Sequence, residues 1–165
     1  PLGILKLPVP LKEDYNRRQK LIELIEKPLW TITGKCAKDT LIPDLVSICK
    51  VNEQHQFIIF DAKYYNAHLE KGIVPTGQPG IESITKQYLY QLAYQRFIED
   101  HKFSSVKNCF LLPTENNEIE DKGEVRMEML SNLGLQDIKI RLIPATMAYD
   151  LYLSGSKMDM ERLDL

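Results

Sequence analysis

Leu41-Ile-Pro-Asp44-Leu-Val, followed one polar turn later by Phe57-Ile-Ile-Phe-Asp61-Ala-Lys63-Tyr-Tyr, decides how this chain reads. Two carboxylates and a lysine stand at the ends of otherwise apolar stretches of strand length. Side chains alternate faces along a β-strand, so Asp61 and Lys63 point the same way and Ala62 the other. Pairing Leu41–Val51 antiparallel with Gln56–Lys63, around Asn52-Glu-Gln-His55, sets Asp44 opposite Lys63 and diagonal to Asp61. A slip of one residue would send Asp44 to the opposite face, so the cluster requires this register or one displaced by two. Charged groups are expensive to desolvate and rarely close so apolar a strand without a use. Two carboxylates beside a cation suit a hard divalent metal and a phosphodiester.

A helix follows, from about Glu82 or Ser83 to Asp100. Ile84, Tyr88 and Leu92 form its expected packed row, with Leu89 and Ala93 beside it, and Gln87, Gln91 and Tyr94 form a polar row. Pro-Asp44, an apolar strand, Asp61-Ala-Lys63-Tyr-Tyr and the Lys86-Gln87-Tyr88 helix come in the order of the PD-(D/E)xK nuclease superfamily. The string resembles the nuclease domain of LlaJI-type restriction endonucleases and of the related McrC subunits. The likeness spans about Trp30 to Ser154 and is sharpest from Ile42 to Tyr94. It implies an α/β fold with a mixed central sheet flanked by helices, and hydrolysis of DNA phosphodiesters. It also implies Mg²⁺, with Mn²⁺ as the alternative, held by Asp44, Asp61 and the carbonyl of Ala62. Lys63 would orient water or steady developing charge, and Gln87 would help place the lysine, water or metal shell. The implied partners are double-stranded DNA and an McrB-like AAA+ GTPase subunit. RecB-like relatives carry Gln-x-x-x-Tyr on this helix. Here Gln91 stands four residues after Gln87, and Tyr94 only three after Gln91, so either glutamine is open to the role.

Composition sets the outer bounds. The 165 residues suit one domain able to bury a core, and 44% hydrophobic with 27% charged residues is ordinary for a globular chain. No apolar run approaches the ~20 residues of a membrane span, and no secretory signal is visible. Cys36, Cys49 and Cys109 are scattered and odd in number, matching neither a disulfide framework nor zinc spacing, so a reducing cytoplasm is expected. His55, His68 and His101 have no metal-binding spacing between them. A Gly-rich nucleotide loop is absent as well. The formal net charge of −2 is unlike a dedicated DNA-binding module. Phosphate contacts would fall to local basic residues such as Arg17, Arg18, Lys20, Lys86 and Arg96, with DNA affinity depending on a partner or another part of the protein.

Residues 1–11 read as a tag remnant, opening Pro1-Leu-Gly, and an extended lead-in broken by Pro8 and Pro10. Residues 12–155 read as the nuclease domain and 156–165 as a charged tail. A first helix is expected from Asp14 to Lys27, its stripe made by Leu21, Ile22, Leu24 and Ile25. Glu26 flanks that stripe, but the family's pattern for a metal-approaching glutamate is not convincingly matched there. Trp30–Lys35 reads as extended, and Gly72–Gly80 as a loop that either closes over substrate or is a solvated connection. Strands follow at Val106–Leu112, Glu124–Met129 and Ile138–Ile143, then a helix at Thr146–Leu153, with the fold ending at Gly155.

Each of Asp44, Asp61 and Lys63 taken singly is an ordinary strand-end ion pair. Their spacing together with the resemblance favours catalysis. Two rivals keep the same residues: a nuclease of recombination or repair, and a non-catalytic interaction domain on a nuclease fold. Oligomeric state is open.

Overall fold

A computed structural model describes residues 20–51 and 54–165. The expected lead-in and the first part of the expected helix, at 14–19, lie outside the described residues, as do Asn52 and Glu53. From Lys20 onward the chain makes only a single 3₁₀ turn, Leu21–Leu24, and is extended at Ile25. The apolar stripe packs as expected, with Leu21 and Ile25 buried against Phe57, Tyr90, Tyr94 and Phe97.

β1 (Leu29–Trp30) and β2 (Lys35–Cys36) form a small antiparallel hairpin where one extended segment was expected. The main sheet has five strands: β3 (Leu45–Val51), β4 (Gln54–Ala62), β5 (Ser105–Thr114), β6 (Glu120–Val125) and β7 (Ile138–Pro144). Their order is β3-β4-β5-β7-β6. The outer pairs are antiparallel, while β4, β5 and β7 run parallel. β4 lies inside the sheet, and its run Phe57-Ile-Ile-Phe is buried on both faces, as parallel-bonded interior strands require.

α1 (Ile81–Ala93) and α2 (Gln95–His101) make the crossover from β4 to β5. The expected single helix is broken at Tyr94, whose φ of −97° and ψ of 1° leave the helical region. Its buried stripe is also not the expected one. Gln87, Tyr88, Tyr90, Gln91 and Tyr94 face inward, while Leu89 is 43% exposed and Ile84 and Leu92 are only half-buried. Gln87 Nε2 and Gln91 Oε1 can take the core side here because the sheet and Asn108 meet them.

β6 begins four residues before the expected strand. Its acidic run pairs with the basic edge of β7, placing Asp121 opposite Arg141 and Glu124 opposite Lys139. A bulge between them is turned by Gly123 at φ +78°, whose N–H donates to Asp121 Oδ1. Charge complementarity outranked the apolar alternation of Val125 and Met127.

α3 (Ala145–Ser154) ends at Gly155 as expected, with Gly155 in the left-handed region. The fold does not end there. Residues 160–163 form a 3₁₀ turn that returns to the sheet and buries Leu163 beside Ile58, Phe60, Cys109 and Ile143. Arg141, itself buried, donates from Nε to the Leu163 carbonyl and from a terminal nitrogen to the Asp164 carbonyl. A guanidinium's fixed fork suits such convergent acceptors, and its charge is met by Asp121. We expect Leu163→Ala to cost about 2–5 kcal/mol, read as a lower denaturant midpoint. An unchanged midpoint would mean that the tail is not part of the cooperative fold.

Candidate active site

Pairing of Leu45 with Phe60 fixes the register of β3 on β4. Carried one step further, that ladder sets Asp44 level with Asp61 rather than with Lys63. This is the two-residue slip that keeps all three side chains on one face. Asp44 lies just before β3, so its carboxylate rather than its backbone continues the contact: Oδ2 accepts the Ala62 N–H at 2.9 Å. The Lys63 N–H donates to the Leu111 carbonyl at 2.9 Å, tying the other end of the motif to β5.

Asp61 is 3% exposed, whereas Asp44 and Ala62 are exposed. Lys63 Nζ stands 2.6 Å from Asp61 Oδ2. The ammonium is the close cationic partner of that buried oxygen. Burial pushes the Asp61 carboxyl above its ordinary value; Lys63 opposes the rise and Asp44 adds to it. A buried carboxylate pressed by a second one has one ammonium to share between two negative charges. The donor set suits a hard cation, because it offers carboxylate oxygens and an exposed backbone position. Among the described residues no three His, Cys, Asp or Glu side chains converge. Two carboxylates and a carbonyl would leave the remaining positions for water and substrate oxygens.

Gln87 is fully buried and reaches the site only through the strand. Its Nε2 donates to the Ile59 carbonyl at 2.9 Å, two residues before Asp61, while Oε1 has no hydrogen-bond partner. Gln91 Oε1 accepts from Asn108 Nδ2 at 2.7 Å and from the Gln136 N–H at 3.0 Å. Gln87 therefore ties α1 to β4, and Gln91 ties it to β5 and to the segment leading into β7, with buried Asn108 next to both. Glu26 is exposed, and its described bond is the Thr40 hydroxyl on its carbonyl.

Tyr90 and Asn108 escaped the sequence reading. The Tyr90 hydroxyl donates to the Ile42 carbonyl at 2.8 Å, holding the Pro43-Asp44 approach against α1. Burial first, then the charges of Asp61 and Asp44, push its phenol up, so it remains a donor. A lone asparagine inside Val106–Leu112 was the only sequence signal for Asn108.

Beyond Lys63 opens a polar cleft of about 650 Å³, lined by Tyr64, Asn66, His68, Glu115 and Glu120 among others. Its rim is folded back on itself: His68 pairs with Thr76, and a side chain at Gly77 would collide with the Asn66 carbonyl. The Gly72–Gly80 segment is thereby tied at its middle to the chain just past Lys63.

No helix among the described residues is long and apolar enough to cross a membrane. No solved structure matches the chain. The sequence is 29% identical over 158 residues to the Type II restriction enzyme BsuMI component YdjA of Bacillus subtilis strain 168. That match covers 92% of this chain and 32% of the relative, so the chain spans about a third of that protein's length. A family model described as LlaJI restriction endonuclease matches residues 12–151. With the sheet, the site geometry and that match over most of its length, this chain belongs to the LlaJI restriction endonuclease family.

Proposed function

We propose that this chain is the cutting domain of a restriction system and hydrolyses DNA phosphodiesters with a bound divalent cation, Mg²⁺ in the first instance. The observation that carries the reading is the meeting of Asp44 and Asp61 at the Ala62 peptide, with Lys63 2.6 Å from Asp61. Asp44, Asp61 and the Ala62 carbonyl would hold the cation, which supplies Lewis acidity toward the phosphate and a lowered pKa for a bound water.

The chain's own residues do the rest. Asp61 is prepaid: its desolvation is met on folding, so its oxygens need not shed water when the cation and substrate arrive. Asp44 keeps one oxygen on the Ala62 N–H, which fixes the strand ends against each other. With their charge neutralised by a held cation, Asp44 and Asp61 would no longer need the Lys63 ammonium, which would then be available to the attacking water or the phosphate. At that position lysine carries charge and donors in a partly dry site. Gln87 holds the Ile59 carbonyl and so the strand that presents Asp61.

The substrate in this reading is double-stranded DNA, recognised mainly by another subunit. An McrB-like AAA+ GTPase is the proposed partner. Support for division of labour comes from the relative, whose name marks it as a component of its enzyme, and from a net charge of −2 here. A cytoplasmic location accords with the free cysteines.

Asp61→Ala is expected to reduce Mg²⁺-dependent cleavage by at least about 100-fold, measured on duplex DNA with the partner subunit present, while circular dichroism stays parental. Cleavage at the parental rate by the folded variant would refute the assignment.

Lys63→Ala separates the roles within the site. Turnover should fall about 10²–10³-fold, whereas calorimetric Mg²⁺ affinity should hold or rise, since a competing cation has gone. Parental turnover with weakened Mg²⁺ binding would contradict this division.

A further inference from the structure

The β1–β2 hairpin exposes what a globular chain usually hides. Leu29 is 60%, Trp30 64% and Ile32 96% exposed. An isolated two-stranded hairpin is marginal in water, so such a tip would be expected to collapse onto the body of the protein. It instead stands exposed, closed by its own hydrogen bonds. The Trp30 carbonyl accepts the Thr33 N–H, the Gly34 N–H and the Thr33 hydroxyl, at 3.1, 2.9 and 3.0 Å. Gly34 makes the turn at φ +63°. At the base, the Ala37 N–H donates to the Pro28 carbonyl at 2.7 Å, and the Thr40 hydroxyl to the Glu26 carbonyl at 2.6 Å.

Charge gives the apolar tip its direction. From Lys27 to Lys38 the chain carries three lysines and no carboxylate, in a protein whose formal net charge is −2. Lys27, Lys35 and Lys38 are all exposed, and none of them forms an ion pair among the described residues. Carboxylates resume at Glu26 and Asp39, at the base of the hairpin. Position completes the case. Cys36 is eight residues from Asp44, a reach of at most about 29 Å, less than one turn of duplex at about 34 Å.

We propose that this hairpin is a DNA-contacting element of the cutting site. Its lysines meet the phosphates of the duplex whose scissile bond lies at Asp44 and Asp61, and Trp30 and Ile32 press into the adjoining groove against base edges or an opened step. A two-stranded ribbon fits the major groove, apolar side chains wedge into the minor groove, and an exposed indole stacks on any base. The contact is sequence-tolerant, so it positions DNA for cutting and leaves selection of the site to a reader elsewhere. The inference rests on the nuclease reading above, and its test reads binding, so that either can fail without the other.

Trp30 is the chain's single tryptophan, so emission under tryptophan-selective excitation reports on the hairpin. Titrating the chain with a 30-base-pair duplex in EDTA, where no cleavage occurs, should quench that emission as anisotropy of labelled duplex rises. Trp30→Ala should weaken binding about tenfold. The combined Lys27→Gln, Lys35→Gln and Lys38→Gln variant should lower the slope of log K against log salt by about 2 to 3, with an unchanged unfolding midpoint. Unchanged emission at duplex saturation would overturn the proposal, as would a parental salt slope in the triple variant or no measurable duplex binding. Emission that responds to the isolated GTPase subunit and not to duplex would overturn it in favour of a protein interface. Loss of cleavage in Asp61→Ala alongside unresponsive Trp30 would leave the nuclease reading standing and remove the hairpin from it.

Discussion

The ladder that pairs Leu45 with Phe60 is the constraint on which the site depends. It has only one useful parity. Shifted by one residue, it would aim Asp44 at the α3 side of the sheet while Asp61 and Lys63 faced α1. Three interactions hold the parity. Phe57 and Ile59 go into the aromatic core under α1 and α2, whereas Ile58 and Phe60 go under the returning tail. The Ala62 N–H closes the ladder on Asp44, and the Tyr90 hydroxyl fixes the approach to Asp44 from the helix side. Burial of ordinary hydrophobic residues therefore sets the position of two carboxylates to within a hydrogen bond.

The proposed function draws on the electrostatic cost that this geometry carries. A carboxylate 3% exposed, with a second beside it and one lysine as its counterion, is a poor arrangement for stability alone. The surrounding sheet can carry it because both faces of β4 are packed. Gln87 adds a clamp on the Ile59 carbonyl that withstands local distortion near Asp61. In the proposed reading stability and reactivity are thus separated in space, with the apolar interior of β4 supplying one and its polar end the other.

How much could be read from the chain alone depended on the range of the interaction. Asp61 and Lys63 share a face by local alternation, so their convergence was legible. Asp44 needed one long-range register, and parity narrowed it to two choices without deciding between them. The strands β4, β5 and β7 were legible as apolar runs. Interactions set by distant partners were not. Gln87 and Gln91 read as a polar face because Asn108, which satisfies Gln91 and neighbours Gln87, lies on another strand. β6 was misplaced because its pairing rests on Lys139 and Arg141 rather than on its own pattern. The charged tail read as lying beyond the end of the fold because the buried acceptors of Arg141 are backbone carbonyls, which no sequence displays. A helix was expected before Lys27, yet Leu21 and Ile25 reach the core from one 3₁₀ turn and an extended residue.

The central claim is that Asp44 and Asp61 are a pair of carboxylates held together for a cation. Its most direct measurement is thermal unfolding of the parental chain and of Asp44→Asn, each with EDTA and with excess Mg²⁺. Asparagine keeps an acceptor for the Ala62 N–H while removing the charge that presses on Asp61. The account predicts that the variant melts above the parent in EDTA, that Mg²⁺ raises the parental midpoint, and that the variant loses that rise. A variant that melts below the parent in EDTA and gains as much from Mg²⁺ as the parent does would contradict it.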